Sequence, residues 1–396
     1  MDKTRAVDEE AISQRRRKKS CERVDGTTLI ESAEPRAPNE NKFSPNGQAG
    51  QTQPHNNQAV ATLTSFGVVM SFLMLFEHLL AKIWRLPALF LLGKPPELLP
   101  KAPPKPDTWR IRGIQKVERD VAGKWLQGQA EELGHHEGQG FSLAADSERT
   151  FCATLISYER PTPPKASWHV DKDFIGVTPL SDPEDANVDV VAVTGLGGHA
   201  LGSFRSQDGV LVWLRDFAPK DVPRARFVTY GYDTTVVDSN SNQGVHDLAS
   251  TLLDRLVDFR RDTQTQQRPL CFVCHSLGGV VVKEALVISS NAIDQEHINQ
   301  HEVMLGTSGL VLMGVPNLGL RHDQLRTVVN GQPNDNFVTD LLARKDGEPS
   351  QYLARLTDDF ARLCRLQQQP WRIVSYYEKL GSPTLLVSTL TSRLVR

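Results

Sequence analysis

Residues 269–285, PLCFVCHSLGGVVVKEA, decide how the chain folds. Residues 270–274 are apolar or Cys, which is typical of a central parallel strand covered on both faces. After Leu277, Gly278 and Gly279 the sequence continues as an apolar helical run from Val280 to Ile288. The stretch therefore predicts a short buried strand, a sharp turn at Ser276 and a helix.

A serine at the tip of such a turn is the arrangement of the nucleophile elbow of α/β-hydrolases. The turn would expose Ser276 Oγ and aim the Leu277 N–H at a developing oxyanion. Strand and helix cross closely there, so small residues are needed on both sides; Gly278 is one, and Cys274 stands where Gly is commoner. The alternative interpretation is an ordinary strand-to-helix turn with an incidental serine.

Strands and helices alternate around this stretch, which predicts an α/β fold with a doubly wound parallel sheet. Strands are predicted at 187–194, 226–232, 270–274, 309–314 and 371–377, and helices at 210–217, 246–262, 280–288 and 351–366. Ligand sites of such sheets lie at the carboxyl ends of the strands. Gly195, Ser276, Pro316 and Glu378 each follow a predicted strand, so we expect them at one edge.

The glycine-rich loop Gly195–Gly198 follows the strand at 187–194. Taken alone, such a loop suggests a phosphate or nucleotide site, but it lacks the closing Gly-Lys-Ser/Thr and a third glycine at dinucleotide spacing. In a hydrolase the same position supplies the second oxyanion donor, with Leu196 or Gly197 N–H as the candidate. We favour this interpretation because the Ser276 turn lies downstream in the order that hydrolases have.

Bulk composition excludes several classes of function. Lys plus Arg number 45 and Asp plus Glu 47, a balance that does not favour nucleic-acid binding. The five cysteines form no disulfide framework, which is consistent with a reducing compartment. Cys271 and Cys274 lie inside the predicted buried strand without a second Cys/His pair, so we predict neither a metal site nor a cofactor.

Three segments precede the folded region. Residues 1–58 are polar and predict a disordered tail. Within 59–93, residues 59–76 carry no charge and are followed by Lys82, Trp84 and Arg85, so we predict a membrane anchor, with a buried or surface helix as the alternative. The basic residues on its C-terminal side would keep the remainder cytosolic. Residues 94–106 form a proline-rich linker.

Residues 107–160 predict a small β-α-β-β module of ferredoxin-like type, ahead of a hydrolase domain at 165–396. The module has no aromatic-glycine signature in its last strand, which argues against RNA binding. A protein contact or a packing role is the better hypothesis for it.

Four segments in order resemble the serine active-site containing protein family of α/β-hydrolases: TGLGGHALGSF, WLRDFAPKDVPRARFVTYGYD, CHSLGGVVVKEAL and LMGVPNLGL. The likeness covers about residues 107–386 and is closest to the fungal branch, in which this domain often precedes NACHT and ankyrin regions. The resemblance implies a lipase-like activity and an association with membranes, the endoplasmic reticulum or mitochondria.

By this resemblance Ser276 matches the nucleophile and Glu378 the acid. The sequence departs from the pattern at Thr194, where the family usually has His, and at Asn317, where His is common after Pro316. The base histidine is expected after the acid, yet no histidine follows His322. His322 and His199 are the remaining candidates for the base.

The sequence therefore predicts a membrane-associated serine esterase or lipase that acts on an ester, including a lipid ester. The alternative hypothesis is a non-catalytic interaction or signalling module that keeps the fold without the base, because a serine Oγ without a base is a poor nucleophile at neutral pH.

Overall fold

The computed structural model describes residues 105–377, except 137, 207, 236–238, 295–296 and 321–328. The predicted polar tail (1–58), the apolar segment (59–93) and most of the proline-rich linker lie outside the described residues, so the interpretations of these segments stay predictions. Among the residues that are described, no helix has the length and apolar character needed to cross a membrane.

The described strands form two sheets. They are β1 (Asp107–Gln115), β2 (Phe141–Ala145), β3 (Thr150–Ser157), β4 (His169–Asp171), β5 (Gly176–Ser181), β6 (Val188–Val193), β7 (Ala225–Gly231), β8 (Leu270–His275), β9 (Thr307–Met313) and β10 (Arg372–Tyr376).

The described α-helices include three long ones that pack on the larger sheet. The full set is α1 (Arg119–Glu132), α2 (Trp213–Asp216), α3 (Ala218–Asp221), α4 (Val245–Asp262), α5 (Leu277–Asn291), α6 (Ile298–Gly306), α7 (Asp335–Leu341) and α8 (Gln351–Leu366). Short 3₁₀ turns occur at Lys116–Glu118 and Gly202–Phe204.

The larger sheet has the order β10-β9-β8-β6-β7-β5. The pairs from β10 to β7 are parallel, as predicted, whereas β5 is antiparallel to β7. The prediction of a wholly parallel sheet is therefore wrong at this edge. β5 contains Pro179 and a break in register after it, both of which are tolerated at a sheet edge because an edge strand has one side without a ladder.

Side chains of the central strands alternate between two apolar layers, as the period of a strand requires. Val191 and Val193 of β6 pack with α4, α5 and α8 on one face. Val190 and Ala192 pack on the other face with Phe204, Leu214 and Ala218 from the short helical turns. The doubly covered sheet explains why β6 and β8 are almost continuously apolar.

The predicted helix at 210–217 is shorter than expected. Two single turns, α2 and α3, occupy this region, and Pro219 lies in the first turn of α3 instead of ending the helix before it. A proline at that place costs nothing, because the first amides of a helix have no acceptor within it. The elements β4, β5, α6 and α7 were not predicted.

The small sheet has the order β2-β3-β1-β4, and all its pairs are antiparallel. The predicted strand-helix-strand-strand order is present, and β4 follows β3 with no helix at 158–168. One face packs under α1 through an apolar cluster that includes Ile111, Leu126 and Leu155. The ferredoxin-like assignment stays a prediction.

Buried Arg110 joins the small sheet to the edge of the larger one. Its guanidinium donates to the Ile175 carbonyl and to Thr178 Oγ1, each at 3.0 Å, and pairs with Asp171 at 2.9 Å. The strands β2 and β3 also contact β5. The small module therefore packs directly against the larger sheet.

Asp189, at the start of β6, is 1% exposed and receives three arginines. Arg226 binds both carboxylate oxygens at 2.8 and 2.7 Å, Arg260 donates at 2.8 Å and Arg268 at 3.1 Å. Burial lowers the pKa of Arg260 to about 10, and the Asp189 carboxylate opposes that shift. The cluster ties β6, β7, α4 and the residues before β8 together at the amino edge of the sheet.

We predict that Asp189→Asn lowers the free energy of unfolding by about 3–5 kcal/mol, because it leaves buried arginines without their carboxylate. Urea unfolding followed by circular dichroism measures this. The matched control is Asp185→Asn, which removes the exposed pair of Asp185 and Arg224 and should cost about 1 kcal/mol or less. Equal shifts for the two variants would contradict the assignment of the cluster.

Candidate active site

Ser276 lies in the predicted sharp turn between β8 and α5. Its backbone has φ 52° and ψ −126°, a left-handed conformation that non-glycine residues seldom adopt. The Ser276 N–H donates to the Met313 carbonyl at 2.8 Å, which fixes the turn to the end of β9. Ser276 is partly exposed, and α5 begins at the next residue, so the Leu277 N–H has no acceptor within the helix.

Three glycines permit the close crossing around this turn. A Cβ on Gly278 would collide with the Val193 and Thr194 carbonyls, and one on Gly279 would collide with Val315. A Cβ on Gly195 would lie 2.6 Å from the Cβ and 3.2 Å from the Oγ of Ser276. The glycine-rich loop thus passes directly against Ser276.

We call residues 194–204 the glycine loop. The segment after β7 holds it in place: the Tyr232 hydroxyl donates to the Thr194 carbonyl at 2.8 Å, and Thr234 Oγ1 donates to the Gly198 carbonyl at 2.6 Å. The Gly197 N–H in turn donates to the Thr234 carbonyl at 2.9 Å. Of the two predicted donors, Gly197 therefore already has an acceptor.

Further contacts of the glycine loop were not anticipated from the sequence. Buried Thr194, which occupies the place of the expected histidine, bonds through its hydroxyl to Ser203. Thr229 Oγ1 donates to the Ala200 carbonyl at 2.7 Å. The polar residues in and after β7 could have indicated these contacts. Residues at the end of one parallel strand lie beside the loops that follow the neighbouring strands.

His199 does not present a ring nitrogen to Ser276. Its Nδ1 accepts from the Leu201 and Gly202 N–H groups at 3.2 Å each, and its Nε2 lies 2.9 Å from the Lys172 carbonyl oxygen. The proton must therefore be on Nε2, since Nδ1 acts as the acceptor. Both nitrogens are used, which does not favour His199 as the base.

The predicted acid and the second candidate for the base lie outside the described residues. Glu378 comes directly after Tyr377, the last described residue following β10, and His322 comes in the segment after Leu320. The described rings of His246, His297 and His301 bond to residues other than Ser276. Their contacts are with Glu284, Asp294 and the Ser289 carbonyl.

Lys283 of α5 stabilises the segment that follows β9. Its ammonium donates to Asn317 Oδ1 and lies 5.2 Å from the centre of the Phe360 ring. Burial lowers the pKa of this amine. Asn317, which stands where the resemblance implies a histidine, therefore has a structural contact with the helix that begins at Ser276.

The C-x-x-C pair does not form a metal site. Cys271 belongs to the apolar layer on one face of the sheet and Cys274 to the layer on the other, because an offset of three residues reverses the face of a strand. Burial raises the pKa of the Cys271 thiol to about 12 and that of Cys274 further still. Two thiols on opposite faces cannot share an ion.

One cleft among the described residues lies away from Ser276. It has a volume of about 1160 Å³ and is lined by Pro269, Thr307 and Trp371, which precede or begin β8, β9 and β10. It therefore opens at the amino edge of the sheet, opposite the turn. Ser276 and the glycine loop follow β8 and β6 and so lie at the carboxyl edge.

Known proteins resemble this chain over the same region. The family model described as "Putative serine esterase (DUF676)" matches residues 190–339, from within β6 to within α7. Protein SERAC1 of Bos taurus is 23% identical over 266 residues, which cover 61% of this chain and 37% of the relative. Protein SERAC1 of Danio rerio is 28% identical over 149 residues, covering 33% and 22%. The chain thus spans well under half the length of these curated relatives.

Solved structures similar to this one include a lipase and a thioesterase domain. The Bacillus licheniformis lipase BlEst2 aligns with a TM-score of 0.31 and 16% identity, covering 55% of this chain and 77% of the lipase. The NocB thioesterase domain, in covalent complex with a fluorophosphonate nocardicin G analogue, aligns with a TM-score of 0.28 and 18% identity, covering 54% and 82%. The family match, by contrast, falls on the segment that carries Ser276 and the glycine loop, so this chain is similar to serine esterases at its candidate site.

Proposed function

We propose that this chain is a serine hydrolase that cleaves carboxylic esters, with Ser276 as the nucleophile. The observation that carries the proposal is the left-handed turn at Ser276, with the glycine loop packed against the side chain. A strained turn persists only where surrounding contacts hold it, and such turns concentrate at functional sites. The match to the serine esterase family over residues 190–339 supports the same activity.

The oxyanion would be held by two backbone amides. Leu277 N–H begins α5, where the helix dipole also favours negative charge. Leu196 N–H is the better second donor, because Gly197 N–H already donates to the Thr234 carbonyl. Removing one such donor typically slows the chemical step by about a hundredfold or more, so the choice between the two matters.

In the catalytic cycle, Ser276 Oγ attacks the carbonyl carbon of the ester and its proton passes to a histidine. The tetrahedral intermediate collapses with loss of the alcohol, which takes that proton, and water then hydrolyses the acyl-enzyme. We propose His322 as the base and Glu378 as the acid that orients it. Support for His322 over His199 is that both ring nitrogens of His199 are bonded elsewhere.

A non-catalytic module is the second candidate function. It is favoured by the contacts of three described histidines, since the rings of His199, His246 and His301 bond to groups other than Ser276. A protein of this kind would keep the turn and the glycine loop as structure and bind a partner, with the small module at 107–160 as a contact surface.

The proposal also includes a class of substrate and a cellular location. The uncharged run at 59–76 supports a membrane association, with an ester of a lipid as the substrate. An endoplasmic-reticulum or mitochondrial membrane with the hydrolase domain on the cytosolic side is the setting that the resemblance and the basic residues after this run suggest.

We predict that a fluorophosphonate probe labels the full chain and that Ser276→Ala abolishes the labelling, because only an activated serine reacts readily. His322→Gln should slow labelling by about 10²–10⁴-fold, the usual contribution of a general base. Gel fluorescence and mass spectrometry of the labelled peptide measure both effects. The matched control is Ser250→Ala on α4, which removes an exposed hydroxyl bonded to the His246 carbonyl and should leave labelling unchanged.

An unlabelled wild-type protein with a cooperative thermal transition would contradict the enzymatic proposal and support the non-catalytic module. Labelling that survives in Ser276→Ala would contradict the assignment of the nucleophile.

We predict that Gly195→Ala slows probe labelling by more than about tenfold, because the added methyl would press on Ser276 and displace its Oγ from a reactive geometry. The matched control, Gly128→Ala in α1, has open space around the added methyl and should leave labelling unchanged while stabilising the helix by about 0.5–1 kcal/mol. Normal labelling of Gly195→Ala would show that the loop does not approach Ser276 as described.

A further inference from the structure

His199 connects the glycine loop to the chain segment between β4 and β5. Its Nε2 donates to the Lys172 carbonyl at 2.9 Å, in the connection between β4 and β5. Its Nδ1 accepts from Leu201 and Gly202, at the start of the 3₁₀ turn within the loop. One side chain thus organises the loop and joins it to the connection that follows β4 of the small sheet.

The connection at residues 172–175 is itself firmly placed. Phe174 is fully buried, has φ 53°, and packs its ring edge-on against the His199 ring with 5.1 Å between centres. The guanidinium of Arg110 lies 5.3 Å from the centre of the same Phe174 ring. A Cβ on Gly231, at the end of β7, would collide with the Phe174 carbonyl. The connection is therefore a fixed support and not a free loop.

The glycine loop has supports on two sides. On the β7 side, Thr234 bonds both to the Gly197 N–H and to the Gly198 carbonyl. On the other side, His199 follows Gly198 directly and bonds to Lys172. The Leu196 N–H lies two residues before Gly198, so its direction depends on both supports.

We propose that His199 is a positioning residue that fixes the glycine loop to the β4–β5 connection and so makes the small sheet, through its strand β4, part of the active site's support. The expected effect of His199 on probe labelling rests on the proposed function. The expected effect on the order of the glycine loop does not. His199 acts through the loop backbone, and the ester never contacts it in this role.

Matched variants distinguish a positioning role of His199 from a role as the catalytic base. Gln places an amide N–H at about the distance of Nε2 from the backbone and keeps a donor for the Lys172 carbonyl, whereas Ala keeps neither nitrogen. If His199 positions the loop, His199→Gln should label within about fivefold of the wild type and His199→Ala about tenfold or more slowly. His297→Ala, which removes an exposed histidine bonded to Asp294, is the control and should label normally.

Hydrogen exchange of the full chain gives a readout that needs no activity. In His199→Ala the amides of residues 195–204 should exchange about tenfold faster or more, with a smaller change in His199→Gln, since a lost bond permits local opening. Peptides from the C-terminal turns of α4, where Arg260 binds Asp189 at the amino edge of the sheet, should exchange as in the wild type.

Equal exchange of residues 195–204 in wild type and His199→Ala would overturn the proposal, whether or not the protein labels. Labelling abolished equally in His199→Gln and His199→Ala with unchanged exchange would overturn it in favour of His199 as the base. Absence of labelling in the wild type, together with faster exchange in His199→Ala, would contradict the proposed function and leave the positioning role standing.

Discussion

The structure depends on one close approach: the glycine loop after β6 touches the turn at Ser276. β6 and β8 are adjacent parallel strands, so the loops that follow them leave the sheet side by side. No side chain fits between the two at Gly195 or Gly278. The requirement for glycine at these positions therefore comes from backbone proximity. The proposed function uses that same proximity, with the Leu277 and Leu196 amides holding the oxyanion that would develop when Ser276 attacks an ester.

Contacts at both edges of the sheet stabilise this close packing of the glycine loop against the Ser276 turn. At the amino edge, Asp189 and its arginines lock β6 to β7 and α4. At the carboxyl edge, Tyr232 and Thr234 fix the glycine loop from the β7 side, and His199 fixes it to the β4–β5 connection. A mobile loop would have to be ordered each time an ester bound, whereas a supported one is ready to stabilise charge in the transition state.

The sequence predicts the central part of this arrangement well because buried parallel strands and the helices between them have strong patterns. The strand-turn-helix at 270–291 and the glycine loop belong to that part. The sequence does not predict the edge strands β4 and β5, whose patterns are weak. β5 contains Pro179 and is antiparallel to β7, and β4 is only three residues long. Neither composition nor periodicity reveals them, since an edge strand needs little apolar character and tolerates proline.

The site is predictable to the extent that its groups follow strands. The positions of Ser276 and Leu196 after β8 and β6 are predicted this way, and their catalytic roles stay proposals. The use of both His199 nitrogens and the bond from Gly197 to Thr234 are set by loop geometry, which residue type does not specify. The roles of Glu378 and His322 remain predictions from order along the chain.

The most direct test of the account is a crystal structure of the full chain after reaction with a methyl phosphonate ester, whose tetrahedral phosphorus mimics the intermediate of ester hydrolysis. The account predicts a covalent bond from phosphorus to Ser276 Oγ and a phosphoryl oxygen within about 3 Å of the N–H groups of Leu277 and Leu196. An adduct on another residue, or a phosphoryl oxygen directed into solvent with neither amide in contact, would contradict it.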